Sequence, residues 1–160
     1  MMSGCSSAAA DAGRPTVSTL DIGRFMGVWY EIARLDHRFE RNLEQVETRY
    51  ELLPSGRITV WNSGIDRRTG LRRSVRGKAH AGRQPGQLRV SFFWFFYSDY
   101  DVLALGEEYD WALVGSRSAK YLWILSRTPT LPAATTERIV QRARELGYQV
   151  EQLHFVDQTR

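Results

Sequence analysis

Gly27-Val28-Trp29-Tyr30-Glu31-Ile32-Ala33-Arg34 is the stretch on which the reading of this chain turns. A glycine two residues ahead of a tryptophan lets backbone pass close to a bulky group, and the indole supplies a large flat plug. A turn-like lead, residues 20–26, precedes it. Strand-like segments follow it as far as Arg127 without a helical interruption.

Working outward, residues 45–53 alternate: Val46, Thr48, Tyr50 and Leu52 share one face, and Gln45, Glu47, Arg49 and Glu51 the other. Pro54-Ser55-Gly56 turns the chain, and Ile58, Val60 and Asn62 share a face of the next strand. After the turn 66–70, Val75, Gly77, Ala79 and Ala81 face one way, with Ser74, Arg76, Lys78 and His80 opposite. Pro85-Gly86 leads into Leu88, Val90, Phe92 and Trp94, and strands near 100–106, 109–116 and 120–126 complete the run. With the opening octapeptide these make eight strands. Their connections are short enough for antiparallel neighbours, the longest being the first, Asp36 to Glu44, which carries Phe39.

Eight consecutive antiparallel strands predict an all-β, up-and-down barrel, the strand number at which an interior holds one small ligand. A flat meander would leave two edges to protect. After Arg127 the period changes. Thr128-Pro129-Thr130-Leu131-Pro132 supplies breakers and a candidate N-cap, and Ile139, Val140, Ala143 and Leu146 recur at helical spacing up to Gly147. One C-terminal helix packed outside the barrel is expected, then a short strand through Val150, Leu153 and Phe155.

The 160 residues are 42% hydrophobic and 12% aromatic, enough for one domain with a buried core. No apolar run approaches the ~20 residues of a membrane-spanning helix. The net charge of +4 is carried almost wholly by arginine, Lys78 and Lys120 being the only lysines. Interleaving with 18 acids predicts a mixed, solvated surface, and the arginines do not cluster on one element. Nucleic acid is therefore not an expected partner.

Cys5 is the single cysteine, so no disulfide forms within the chain. Met2-Ser3-Gly4-Cys5-Ser6-Ser7 has the form of the end of a bacterial lipoprotein signal, without the basic and apolar segments of a complete one. Two readings stand: a lipidated cysteine whose signal starts upstream, or a terminus with an idle thiol. Residues 1–18, rich in Ser, Ala and Gly, read as a lipobox remnant with a flexible tether, and 19–160 as the barrel domain.

Catalytic signatures are sparse. His37, His80 and His154 are scattered without metal-ligand spacing, and no phosphate loop, nucleophile elbow or Cys–His arrangement occurs. No enzyme activity, metal or cofactor is expected. The apolar faces carry more information: they mix Tyr50, Phe92, Trp94, Tyr100 and Trp123 with Gly77, Ala79, Ala81 and Ala104. Small side chains facing inward leave volume, and aromatics wall it. A barrel plugged by side chains remains the alternative. The polar tips of Tyr50, Asn62 and Tyr100 favour a cavity, because buried polar atoms need partners that a ligand or water supplies.

Three motifs in order resemble the lipocalin family, and within it the bacterial outer-membrane lipoproteins and their animal relative apolipoprotein D. These are Gly27-x-Trp29, Ser98-Asp99-Tyr100 in place of Thr-Asp-Tyr, and the lone Arg127 ending the eighth strand. Asp36-His37-Arg38-Phe39-Glu40-Arg41 adds to the likeness, which spans residues 20–157. The resemblance implies that Arg127 lies over Trp29 beside Gly27 at a closed end. It implies Tyr50, Asn62, Phe92, Tyr100 and Trp123 as cup-lining residues with Phe39 over the mouth, and it makes Cys5 a lipidation site. Fatty acids or lysophospholipids, held at the periplasmic side of the outer membrane, are the implied ligands, with Arg38 and Arg41 as headgroup candidates and a homodimer as a further partner. A lipocalin-fold enzyme using Glu31, or an envelope-structural lipoprotein, are the readings from other classes.

Overall fold

The computed structural model describes residues 14–92 and 95–159, with the side chains of 95–97 left aside. Cys5 and Trp94 lie outside the described residues. A one-turn helix, α1 (Ile22–Phe25), occupies the lead, its first turn held by the Asp21 carboxylate accepting from the Arg24 N–H. The strands follow: β1 (Gly27–Leu35), β2 (Leu43–Leu52), β3 (Ile58–Asp66), β4 (Arg72–Ala81) and β5 (Gln87–Phe92). Then come β6 (Phe95–Leu105), β7 (Trp111–Gly115) and β8 (Leu122–Ser126). All pair antiparallel with their sequence neighbours, and β8 returns to β1 to close the barrel. The predicted eight-stranded barrel is therefore present.

Helix α2 (Ala133–Glu145) packs outside it. Its buried Ile139 and Ala143 join Leu103, Leu113, Leu122 and Ile124 in a second core between helix and barrel. Each fully buried aliphatic side chain there contributes ~1.5–3 kcal/mol. The N-cap position is Pro132, with no side-chain cap bond, so the breaker run ends the sheet without supplying the expected cap. A 3₁₀ turn (Val150–Gln152) leads to β9 (Leu153–Phe155).

That last strand has a structural task. β1 pairs with β2 only over Gly27–Tyr30, after which the two diverge. β9 takes over on β1 at Ala33–Leu35. Gln158 donates to the carbonyls of both Glu31 and Val46, and the Gln45 N–H donates to the Asp157 carbonyl. The C-terminus thus satisfies backbone groups that the parting strands leave open.

Two bulges change which side chains face inward. In β1, Glu31 pairs with Leu125 and Ala33 with Ile124, so Ile32 is an extra residue and the two-residue alternation reverses there. Glu31 and Arg34, three apart, consequently both point inward. In β6 the register slips between Val102 and Ala104, placing Leu103 and Ala104 together against the helix. The inward placement of Ala104 expected from simple alternation is corrected by that bulge. Ala81 is exposed where β4 ends, and Leu52 is 43% exposed at the end of β2. Both fall where pairing stops and the pleat no longer has an inside.

Candidate ligand-binding site

One end of the barrel is sealed. Trp29 and Phe25 are fully buried, their rings 5.0 Å apart, and the Trp29 indole donates to the Phe25 carbonyl at 2.8 Å. The Arg127 guanidinium lies 3.8 Å from the Trp29 ring centroid. Its three nitrogens donate to the carbonyls of Tyr109, Val28 and Arg24. Gly27, at φ 94°, is the residue that lets this happen: a Cβ there would approach Arg127 to 3.4 Å in a conformation L residues avoid. Floor, arginine and helix α1 thus form one hydrogen-bonded plug.

Above the plug is a cavity of about 550 Å³, within the ~300–1,000 Å³ common for small-molecule sites. Phe39, Tyr50, Asn62, Phe92, Tyr100 and Trp123 all line it. Val60, Val90 and Leu125 line it as well, and Val60, Val90 and Leu125 also belong to the core that includes Trp29. Tyr50 rises from the floor, its ring 5.6 Å from Phe25. Tyr100 stacks on Trp123 at 6.4 Å, and Trp123 on Tyr121 at 6.0 Å. The small residue at Gly77 does not leave open space, because a Cβ there would meet the Phe92 ring at 2.5 Å. Gly77 instead lets that ring lie flat against β4.

The polar tips on this wall find partners among themselves. The hydroxyls of Tyr50 and Tyr100, fifty residues apart, hydrogen-bond each other, and burial pushes both phenols up. Thr48 donates to the Asn62 side-chain oxygen at 3.5 Å. The tyrosine tips therefore need no ligand to be satisfied, which removes that ground for a cavity; the empty volume itself takes its place.

A charged cluster closes the upper wall. Arg34, 1% exposed, donates to Glu31 at 3.1 Å, to Asp36 at 3.0 Å, and to the carbonyls of Leu43 and Glu40. Glu40 reaches in from the loop between β1 and β2, accepting from the Trp123 indole at 3.0 Å and lying 3.2 Å from His37 Nε2. The two acids are shifted in opposite directions. Burial first, and then the Glu40 charge, pushes Glu31 well above its usual range; bonds from His37 and Glu31 hold Glu40 at about 2 against its own burial. Glu40 Oε2 makes no hydrogen bond and lies 3.9 Å from Arg34 Nη1.

Glu31, His37, Glu40 and Tyr121 line the cavity and were not among the expected cup residues. Their signal was an acid and an arginine inside the otherwise apolar strand 27–35, but simple alternation puts Glu31 and Arg34 on opposite faces, and only the bulge brings them together. Arg38 lines the mouth with its guanidinium 4.9 Å from the Phe39 ring; Arg41 is exposed and does not line the cavity. Among the described residues no group of three or more His, Cys, Asp or Glu is placed to hold a metal.

Residues 20–158 match the family described as the lipocalin-like domain. The chain is 42% identical over 156 residues to outer membrane lipoprotein Blc of Escherichia coli K12, covering 96% of this chain and 88% of that one. It is 30% identical over 154 residues to apolipoprotein D of Bos taurus, covering 90% and 80%. Lobster apocrustacyanin A1 superposes with a TM-score of 0.72 over 86% of this chain and 79% of its own, at 16% identity, a likeness of fold. With the Trp29–Arg127 plug below and a single cavity-bearing barrel above it, the chain belongs to the lipocalin family.

Proposed function

We propose that the barrel is a carrier for the single aliphatic chain of a fatty acid or lysophospholipid at the bacterial cell envelope. The observation that carries this reading is the aromatic-walled cavity of about 550 Å³, sealed at the Trp29 end and lined at the other by loop residues such as Phe39 and Tyr121. An acyl chain directed at Tyr50, Val60 and Leu125 exchanges water for aromatic and aliphatic contact. Each buried methylene contributes ~0.8 kcal/mol, so a twelve-carbon chain has roughly 10 kcal/mol of gross driving force. Ordering and translational costs reduce that to an affinity on the order of micromolar. The relatives' designation as outer membrane lipoproteins supports an envelope location and an acyl anchor on Cys5.

No covalent step is required. A second reading has one observation in its favour: Glu31 is a buried carboxyl on the cavity wall that burial pushes well above its usual range, the kind of group that a lipid-processing enzyme would use as an acid. It is 2% exposed and tied to Arg34 and Glu40, which suits a structural role better than proton transfer. Turnover of a bound lipid, followed by mass spectrometry, separates the two.

The carrier reading is tested with a fluorescent fatty-acid probe displaced by lysophospholipid. One saturable site per barrel, emptied competitively, is the expected result. Absence of saturable binding for both ligands overturns it.

A further inference from the structure

The loops at the two ends of the barrel differ in charge. At the open end, Arg38 and Arg41 stand on the β1–β2 loop and Arg117 and Lys120 on the β7–β8 loop, all exposed. The β3–β4 hairpin, on the other side of the β1–β2 loop, adds Arg67 and Arg68, with Arg72 and Arg73 opening the next strand. The acids beside them are fewer: Asp36, Glu40 and Asp66. Asp66 is buried beneath Arg68 and Arg73, Glu40 is buried in the cavity wall, and Asp36 is held by Arg34. The closed-end loops at 53–57, 82–86 and 106–110 carry only Arg57 and Arg83, against Glu107, Glu108 and Asp110. Seven arginines that are dispersed along the sequence are therefore brought by the topology to the mouth.

An exposed apolar side chain crowns the same hairpin. Leu71 is 67% exposed, the most exposed large hydrophobic among the described residues, and is flanked in sequence by four arginines. The hairpin is firmly built. The Asp66 carboxylate receives the Arg68 side chain and the Arg68 N–H, and the Arg67 guanidinium reaches Asn42 on the neighbouring loop at 3.2 Å. A leucine held outward on a rigid cationic tip has the form of an interfacial anchor. Cations bring it to a negative surface, and the side chain enters the headgroup layer.

We propose that the open rim, centred on Arg67, Leu71 and Arg72, is a docking surface for an anionic lipid bilayer, with the cavity mouth facing the membrane. This rests on the carrier reading and deepens it: a single-chain lipid would pass between bilayer and cavity without crossing bulk water. A bilayer is favoured over other polyanions because Leu71 stands among the cations, and a phosphate backbone offers nothing to bury it in.

Flotation of the full chain carrying Cys5→Ser, so that no acyl anchor contributes, tests the proposal. The vesicles are phosphatidylcholine with or without phosphatidylglycerol. Binding is expected only with phosphatidylglycerol and weakens as salt shortens the Debye length. Reversing two surface-facing cations in R67E/R72E is expected to cost roughly thirtyfold or more in vesicle affinity. R57E/R83E, the same charge change at the closed end, stays close to wild type, and Leu71→Asn loses several-fold. Equal losses in the two charge-reversed pairs, no preference for phosphatidylglycerol, or equally tight binding of duplex DNA through the same arginines would overturn the assignment. A fatty-acid probe titration run in parallel keeps the two readings separate. Rim variants that lose vesicles but keep the probe support the docking surface, whereas vesicle binding without any probe binding leaves the rim standing and removes the carrier.

Discussion

Each end of this barrel sets an arginine against backbone carbonyls close to a tryptophan, yet one end is sealed and the other is open. At the floor, Arg127 meets the face of Trp29 and three carbonyls, and no acid takes part. Its charge is spread over dipoles and a π-cloud, so the floor has no titrating partner and no volume to fill. At the upper wall, Arg34 is buried more deeply but surrounded by Glu31, Asp36 and Glu40, and the adjoining Trp123 gives one edge to Glu40 and one face to the cavity. The floor is a plug. The upper wall is a polar frame of two acids, shifted in opposite directions, around an opening.

The largest effect that would break this contrast is at the floor. Trp29→Ala is expected to cost ~3–5 kcal/mol in chemical denaturation, the loss typical of a buried aromatic. Probe affinity per folded molecule should hardly change. A variant that stays stable but loses the probe would place the ligand at the wrong end.

Next comes the acid pair. Glu40→Gln leaves Arg34 with less counter-charge in a buried setting and is expected to destabilise by ~3 kcal/mol at neutral pH. Glu31→Gln puts a neutral isostere where burial already disfavours the charge, and should stay within ~1 kcal/mol of wild type. The pH dependence has opposite signs at the two positions. Glu40, held at about 2, contributes stability above its ordinary value of 4.5 that is lost as pH falls toward 2. Glu31, raised, contributes stability that is complete below 4.5 and is lost as pH rises through its folded value. Thermal melts against pH should therefore show a fall on the acid side that Glu40→Gln removes, and one on the rising side that Glu31→Gln removes. Equal sensitivity of the two variants at neutral pH would mean the two acids are not shifted in this way.

Smaller effects sharpen the comparison. Trp123→Ala should weaken the probe tenfold or more, equivalent to about 1.4 kcal/mol, with a stability loss well below that of Trp29→Ala. Tyr100→Phe removes one hydroxyl from the Tyr50–Tyr100 bond and should cost ~1 kcal/mol, visible as a modest shift in denaturation midpoint.

How much of this was legible beforehand differs by region for the same reason. Gly27 and Trp29 belong to a contiguous motif and were readable from the residues, while the place of Arg127 beside them came from the resemblance alone. The alternating faces placed Tyr50, Asn62 and Phe92 along the wall because β2, β3 and β5 hold a two-residue period across those positions. The acid cluster was hidden twice. The bulge at Ile32 reverses the period between Glu31 and Arg34, and Glu40 arrives from a loop, where no periodicity exists to say which side chain turns inward. The pairing of Tyr50 with Tyr100 is a contact across the barrel that no local pattern encodes. The rim charge was obscured in the same way, since its arginines come from three separate connections.

The central claim is that an acyl chain lies inside the barrel with its tail toward the floor. A fatty acid carrying a diazirine at its terminal carbon, irradiated in complex and mapped by peptide mass spectrometry, addresses it directly. The account predicts label on the peptides bearing Tyr50, Val60 and Leu125, with little on the loop holding Arg38 and Phe39. Label confined to that loop, or scattered over the outer surface, would contradict it.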